Sequence, residues 1–195
     1  MISYTSPVYA KIMKTSITLS YEGQSGARYS YIAKETTDFN GDAYTKKGVL
    51  AYIPTAQELT QMSWATPQDA LNYENFIRAD KYLNNNRGQF AKRFGAIYPF
   101  EHHFDLHIAQ DFYYDKKYGR KVQVVVDFLN LANMFNRAWG LYYTNSWTRQ
   151  VLEITDVKKD AAGNYTPTYK FNPYDVTFSD FSSRWRCQIG LRLTF

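Results

Sequence analysis

The chain has 195 residues, enough for one domain or two, and 18% of them are aromatic. Charged residues make up 21% and the net charge is +5, with the basic residues scattered along the chain. That profile excludes a disordered segment and gives no basic block, so nucleic acid is not an expected partner. The lone cysteine, Cys187, excludes an intramolecular disulfide, and no run approaches the about 18 apolar residues of a membrane helix.

In chain order, the opening MISYTSPVYAKIMK has no charged stretch leading into an apolar run and so does not read as a signal peptide. Residues 1–12 read as the end of a strand entering a turn near KIMKT. A strand over about 15–33 follows, because Ile17, Leu19, Tyr21, Ala27, Tyr29, Tyr31 and Ala33 keep one parity. It is expected to bend or bulge near Gly23 and Gly26, with a hairpin at EGQSG as the alternative. Residues 34–102 form a long loop with two helix starts. Thr55 with Glu58 fits a capping box, and Thr66 before Pro67 fits an N-cap, giving helices at about 56–62 and 67–83.

Strands follow at about 103–115 and 121–131, joined by a tight turn at KKYGRK. In the first, Phe104, Leu106, Ile108, Phe112 and Tyr114 share one face; in the second, Val122, Val124, Val126 and Phe128 do. A second long loop, about 136–181, is rich in Tyr, Asn and Thr and carries a hairpin-like KDAAGNYTPTYKF. The last strand, 183–195, alternates Trp185, Cys187, Ile189, Leu191, Leu193 and Phe195 against Arg184, Arg186, Gln188, Gly190, Arg192 and Thr194.

Short turns on one side and long loops on the other describe an antiparallel transmembrane β-barrel, whose strands need only about ten residues each to cross. From Trp185 to Phe195 the strand runs about 33 Å at ~3.3 Å per residue. Tilted by roughly 40°, it rises about 25 Å, the height of an outer-membrane apolar band. Trp185 and Phe195 then fall in the two aromatic girdles, and the arginines face the lumen. Periodicity alone also allows a soluble sandwich or barrel with the same face turned to a protein core.

The terminal QIGLRLTF, with Gln188, Gly190, Leu193 and Phe195, resembles the C-terminal signal read by the barrel assembly machinery. In order along the chain, SYEGQSGARYSY, DFNGD followed by LAYIP, NRGQFAKR, FDLHIAQDF, VVVDFLNLANMFNRAWG and SRWRCQIGLRLTF resemble the C-terminal part of TonB-dependent receptors. The likeness is to the Bacteroidetes type that carries an N-terminal carboxypeptidase-regulatory-like domain, and it spans about residues 15–195. It implies the last four to five strands of a 22-stranded barrel in the outer membrane of a Gram-negative bacterium. Such receptors take up a bulky nutrient with energy relayed by TonB. The plug, the TonB-contacting segment and most strands have no counterpart here, so the chain reads as a C-terminal fragment that is not transport-competent alone. Implied partners are the rest of the barrel and the plug, outer-membrane lipids, the assembly machinery, TonB through the missing N-terminal part, and a surface lipoprotein as an optional cap. The resemblance also places the two long loops outside the cell and the turn near Lys116–Lys121 in the periplasm.

Several residue groups could carry chemistry. Asp38, Asn40 and Asp42 alternate like the first half of a calcium loop, but Val49 stands where the bidentate glutamate would be, so Ca2+ competes with a plain polar turn. His102, His103, Asp105, His107 and Asp111 offer metal-ligand types, though the two-residue spacing on a strand favours a polar wall of paired charges. Trp139, Tyr142, Tyr143, Trp147, Tyr165 and Tyr169 could stack on sugar or peptide ligands; they could equally be girdle residues or loop packing. No nucleophile motif stands beside a base and Cys187 falls on the apolar face, so no catalytic residue and no enzyme activity are expected. The alternatives are a soluble β-rich carbohydrate- or ligand-binding module, or a barrel bearing a hydrolase.

Overall fold

The computed structural model describes residues 1–36, 48–144, 146–172 and 177–195. The strands used below are β1 (Ile2–Thr5), β2 (Met13–Gln24), β3 (Arg28–Glu35), β4 (Glu101–Asp115), β5 (Arg120–Leu129), β6 (Thr148–Lys159), β7 (Tyr165–Phe171) and β8 (Arg186–Thr194). The helices are α1 (Ala56–Gln61), α2 (Pro67–Ala79), α3 (Lys81–Asn84), α4 (Leu131–Phe135) and α5 (Asp180–Ser183). Most of the structure is antiparallel sheet, no helix is long and apolar enough to cross a membrane, and the described residues form no closed barrel. The chain divides into two compact units, one of residues 1–26, 99–144 and 177–195, the other of 27–98 and 145–176.

The first unit is a five-stranded antiparallel sheet in the order β1-β2-β4-β5-β8. Its ladders are long. β2 and β4 pair from Met13 with Phe112 to Gln24 with Glu101, and β5 and β8 from Lys121 with Thr194 to Leu129 with Arg186. The turn between β4 and β5 is closed by the Asp115 carboxylate, which accepts from the backbone N–H groups of Lys117 (3.1 Å) and Tyr118 (3.3 Å), and by Gly119 at φ 68°. Between β1 and β2 the chain reverses through Ala10 and Lys11, both at positive φ without being glycine.

The second unit holds the chain's apolar core. β3 pairs in parallel with β6 and antiparallel with Val49–Leu50 and Ala96–Ile97; β6 pairs with β7, which pairs in parallel with Ser63–Trp64. Tyr31, Ile53, Tyr73, Ile77, Leu83 and Leu152 are fully buried there. The helices start where the sequence places them. Thr55 and Glu58 form a reciprocal capping box, as do Thr66 and Asp69. Tyr31 donates to Asp80 Oδ2 at 2.5 Å, and burial pushes its phenol far up from the ordinary tyrosine range. Half-buried beside the core, Arg87 grips Glu74 with two nitrogens at 2.9 and 3.0 Å, which holds that carboxyl below its ordinary range.

Several expected boundaries move. The stretch 15–33 is two strands, β2 and β3, interrupted at 25–27; they do not pair with each other, so no hairpin forms at EGQSG. The expected helix 67–83 breaks at Asp80, which leaves the helical region (φ −94°, ψ 116°) and caps α3 by accepting from Leu83 N–H at 2.8 Å. The strand expected over 121–131 stops at Leu129 because Asn130 adopts the left-handed conformation (φ 53°). The strand expected from 183 starts at Arg186, after α5. Residues 34–102 and 136–181, expected as loops, supply most of a unit with its own buried core, because their apolar side chains find one another across β3, β6 and α2.

Candidate functional site

The ladders of the five-stranded sheet align its alternating residues into rows. One row reads Tyr4, Ile17, Ile108, Val126 and Ile189; the next reads Ile2, Leu19, Leu106, Phe128 and Cys187. Met13, Phe112, Val122 and Leu193 extend the same face toward one end, and Tyr21 and Phe104, with ring centroids 4.9 Å apart, toward the other. The reverse face carries Ser3, Thr18, His107, Asp127 and Gln188 in one row. Its members bond across strands. Ser3 meets Thr18 at 2.8 Å, His107 Nδ1 meets Asp127 at 2.5 Å, and Asp111 accepts from Lys121 (2.8 Å) and Gln123 (2.7 Å).

The apolar face is half-buried along β4 and β5 and open along β8. Ile189, Leu191 and Leu193 are 71%, 75% and 59% exposed, and no helix or second sheet layer among the described residues of the same unit covers them. Every buried apolar residue of the described chain except Ala109 lies in the second unit, and Ala109 itself sits on the polar face. What the first unit buries is polar: Glu101, His103, Asp111, Asn130 and Ser183. An apolar surface this continuous is not what a monomer in water presents.

One pair interrupts the apolar face. Gln110 and Thr15 sit among the aliphatic rows, and their polar atoms are fully engaged. Gln110 Oε1 accepts from Thr15 (2.6 Å) and from the Tyr9 hydroxyl (3.0 Å), while its Nε2 donates to the carbonyls of Lys14 and Asp111. Gln110 keeps the parity of the apolar face without being apolar, and Tyr9 reaches it from the turn before β2.

At the end of the sheet where β5 stops, Asn130 ties three segments together. Its backbone N–H donates to Asp105 Oδ1, and its Nδ2 donates to the carbonyls of Gly140 and Ser183, each at 2.7 Å. Gly140 (φ +64°) has no alternative there, since a Cβ would stand 1.9 Å from Asn130 Oδ1. Beside it, His103 is buried under the Tyr142 ring, with centroids 3.8 Å apart and planes within 11°, and its Nε2 lies 3.5 Å from Glu101. The same burial, with Asp105, Glu22 and Glu101 nearby, raises the Tyr142 phenol.

The aromatic residues singled out in sequence separate between the units. Trp139 and Tyr143 line a groove of about 350 Å³ with Phe100, His102 and Phe104, at the end of the apolar face. Tyr142 is not part of it. In the second unit, Trp147 is exposed with its ring against Phe94, and Tyr165 is exposed with the Lys159 ammonium over its face. Tyr169 is half-buried and lies against Trp64, which lies against Tyr73, and burial raises its phenol. Trp185 and Phe195 stand at opposite ends of the open stripe of β8, with Gln188 and Gly190 on its polar side.

Asp38, Asn40 and Asp42 lie outside the described residues. Among those described, no three His, Cys, Asp or Glu side chains gather as a metal site; Asp105 serves Asn130, and His107 serves Asp127. No family model matches the chain, and no curated protein and no solved structure matches it either.

Proposed function

We propose that the five-stranded sheet is wall of an outer-membrane β-barrel and that the chain supplies barrel wall and outward-facing loops to a TonB-dependent receptor for a bulky nutrient. The observation that carries the reading is the continuous apolar face of the first unit, open along β8 at Ile189, Leu191 and Leu193, backed by a polar face whose side chains bond one another across strands. In water that arrangement wastes the hydrophobic effect; against acyl chains it satisfies both faces. Antiparallel ladders also bond every interior backbone group, which a strand in hydrocarbon requires. On this reading Trp185 and Phe195 mark the two girdles, Gln188, Gly190, Leu193 and Phe195 serve recognition by the assembly machinery, and the second unit belongs to the outer loops. Five strands cannot close a cylinder, so transport needs further strands, a plug and TonB. The receptor family itself rests on the sequence resemblance.

Cys187 tests the reading without any mutation, because it is a free thiol in an aliphatic row. In envelope membranes a charged, impermeant maleimide should leave Cys187 unmodified until detergent is added. With Cys187→Ser in place, a Gln188→Cys variant should label readily from the water-filled side. A detergent-free soluble chain whose Cys187 labels as fast as position 188 defeats the membrane reading and leaves the soluble binding module.

A further inference from the structure

A second groove of the first unit, about 570 Å³, lies between the segment after α4 and the segment around α5. Its walls differ in kind. Met134, Leu141, Phe178 and Trp185 are apolar, whereas Arg137 and Arg184 are cationic. Arg184 pairs with Asp180, which also lines the groove, but Arg137 has no ion-pair partner among the described residues. Trp185 is the residue from which the open stripe Cys187, Ile189, Leu191 runs on along β8. The groove therefore joins a cationic mouth to an apolar track.

We propose that this groove binds the anionic phosphate headgroup of an outer-leaflet lipid, with Arg137, the lining cation that no carboxylate of the described residues neutralises, as the phosphate contact and the acyl chains laid along Cys187 to Leu191. The inference rests on the barrel-wall reading and names a ligand class for one end of that wall. A guanidinium offers the planar donor fork that phosphate oxygens match. An aromatic indole at the water–lipid boundary and a basic pocket beside it are the elements of headgroup recognition. A free anion would have no use for the apolar walls, which is why the lipid is the preferred source of the phosphate.

The test uses the full chain in a neutral detergent, with phosphatidylglycerol carrying brominated acyl chains as the probe and quenching of tryptophan fluorescence as the readout. Saturable quenching is expected, lost in Trp185→Phe in proportion to that residue's share of the emission. Arg137→Gln, whose side chain makes no hydrogen bond among the described residues, should keep the circular dichroism of the parent and weaken binding about tenfold. Brominated phosphatidylcholine, which has no net charge, should bind more weakly than the anionic lipid. Equal affinity for the two lipids, or unchanged affinity in Arg137→Gln, overturns the proposal, and displacement by millimolar inorganic phosphate reassigns the groove to a free anion. If Cys187 is shielded in membranes while Arg137→Gln binds normally, only the groove falls; if Cys187 labels freely in water, the barrel reading falls with it.

Discussion

The two units of this chain use the same amino acids in opposite ways. In the second, Tyr31, Tyr73, Ile77 and Leu152 are sealed away, and the charges drawn inward with them, Arg149 and the Glu74–Arg87 pair, lie among a core that is otherwise mostly apolar. In the first, Ile189, Leu191 and Leu193 are open while Asp111, Asn130 and His103 are buried. The contrast teaches that apolar content does not by itself say where a side chain sits. What covers each face decides, and the two units of one chain of 195 residues differ in that.

The sharpest break between the units comes from truncating a core residue. Ile77→Ala, at a position with no exposure, should cost about 2–5 kcal/mol by denaturant titration, whereas Ile189→Ala should change little in the same assay. Similar losses at both sites would erase the distinction. Next comes a charge on the open face. Ile189→Arg should cost about 2–4 kcal/mol in urea-dependent folding into lipid vesicles, because it puts a cation against hydrocarbon near mid-stripe, while Gln188→Arg should be close to neutral. Indifference to both substitutions would mean the apolar rows do not face lipid.

A smaller effect separates the units by pH. Arg87 and Arg78 lower the Glu74 carboxyl from its ordinary value. Its contribution is therefore complete above the unfolded glutamate range, near pH 4.5, and disappears as the pH falls through the lower folded value. Acid titration of the second unit should show that loss, and Glu74→Gln should remove it. The mildest change is Ala10→Gly in the turn between β1 and β2, where φ is 46°. Relief of the left-handed strain should add less than about 1 kcal/mol to the first unit, read as a small rise in its melting temperature.

Sequence made some of this visible because the physics is local. Alternation along Phe104–Phe112 and Val122–Phe128 shows which residues share a face, and Thr55 with Glu58 marks a helix start, from a handful of neighbours. What it hid is non-local. Nothing near Tyr31 announces Asp80, and nothing near His103 announces that Tyr142 will cover it. The parallel pairing of β3 with β6 depends on more than a hundred intervening residues. Nothing near Tyr169 announces that Trp64 will lie against its ring. The aliphatic rows themselves were legible, but periodicity could not say whether anything would cover them.

The knot of Tyr9, Thr15 and Gln110 bears on how such surfaces are recognised at all. Its amide oxygen already has two donors and its amide nitrogen two carbonyls, so hydrocarbon would have no unmet demand to punish there. Residue-by-residue polarity scoring would count Thr15 and Gln110 as flaws in a lipid-facing strand. Whether a polar side chain spoils an apolar face is a property of its bonded group, and here the letters T and Q overstate the polarity that the face presents.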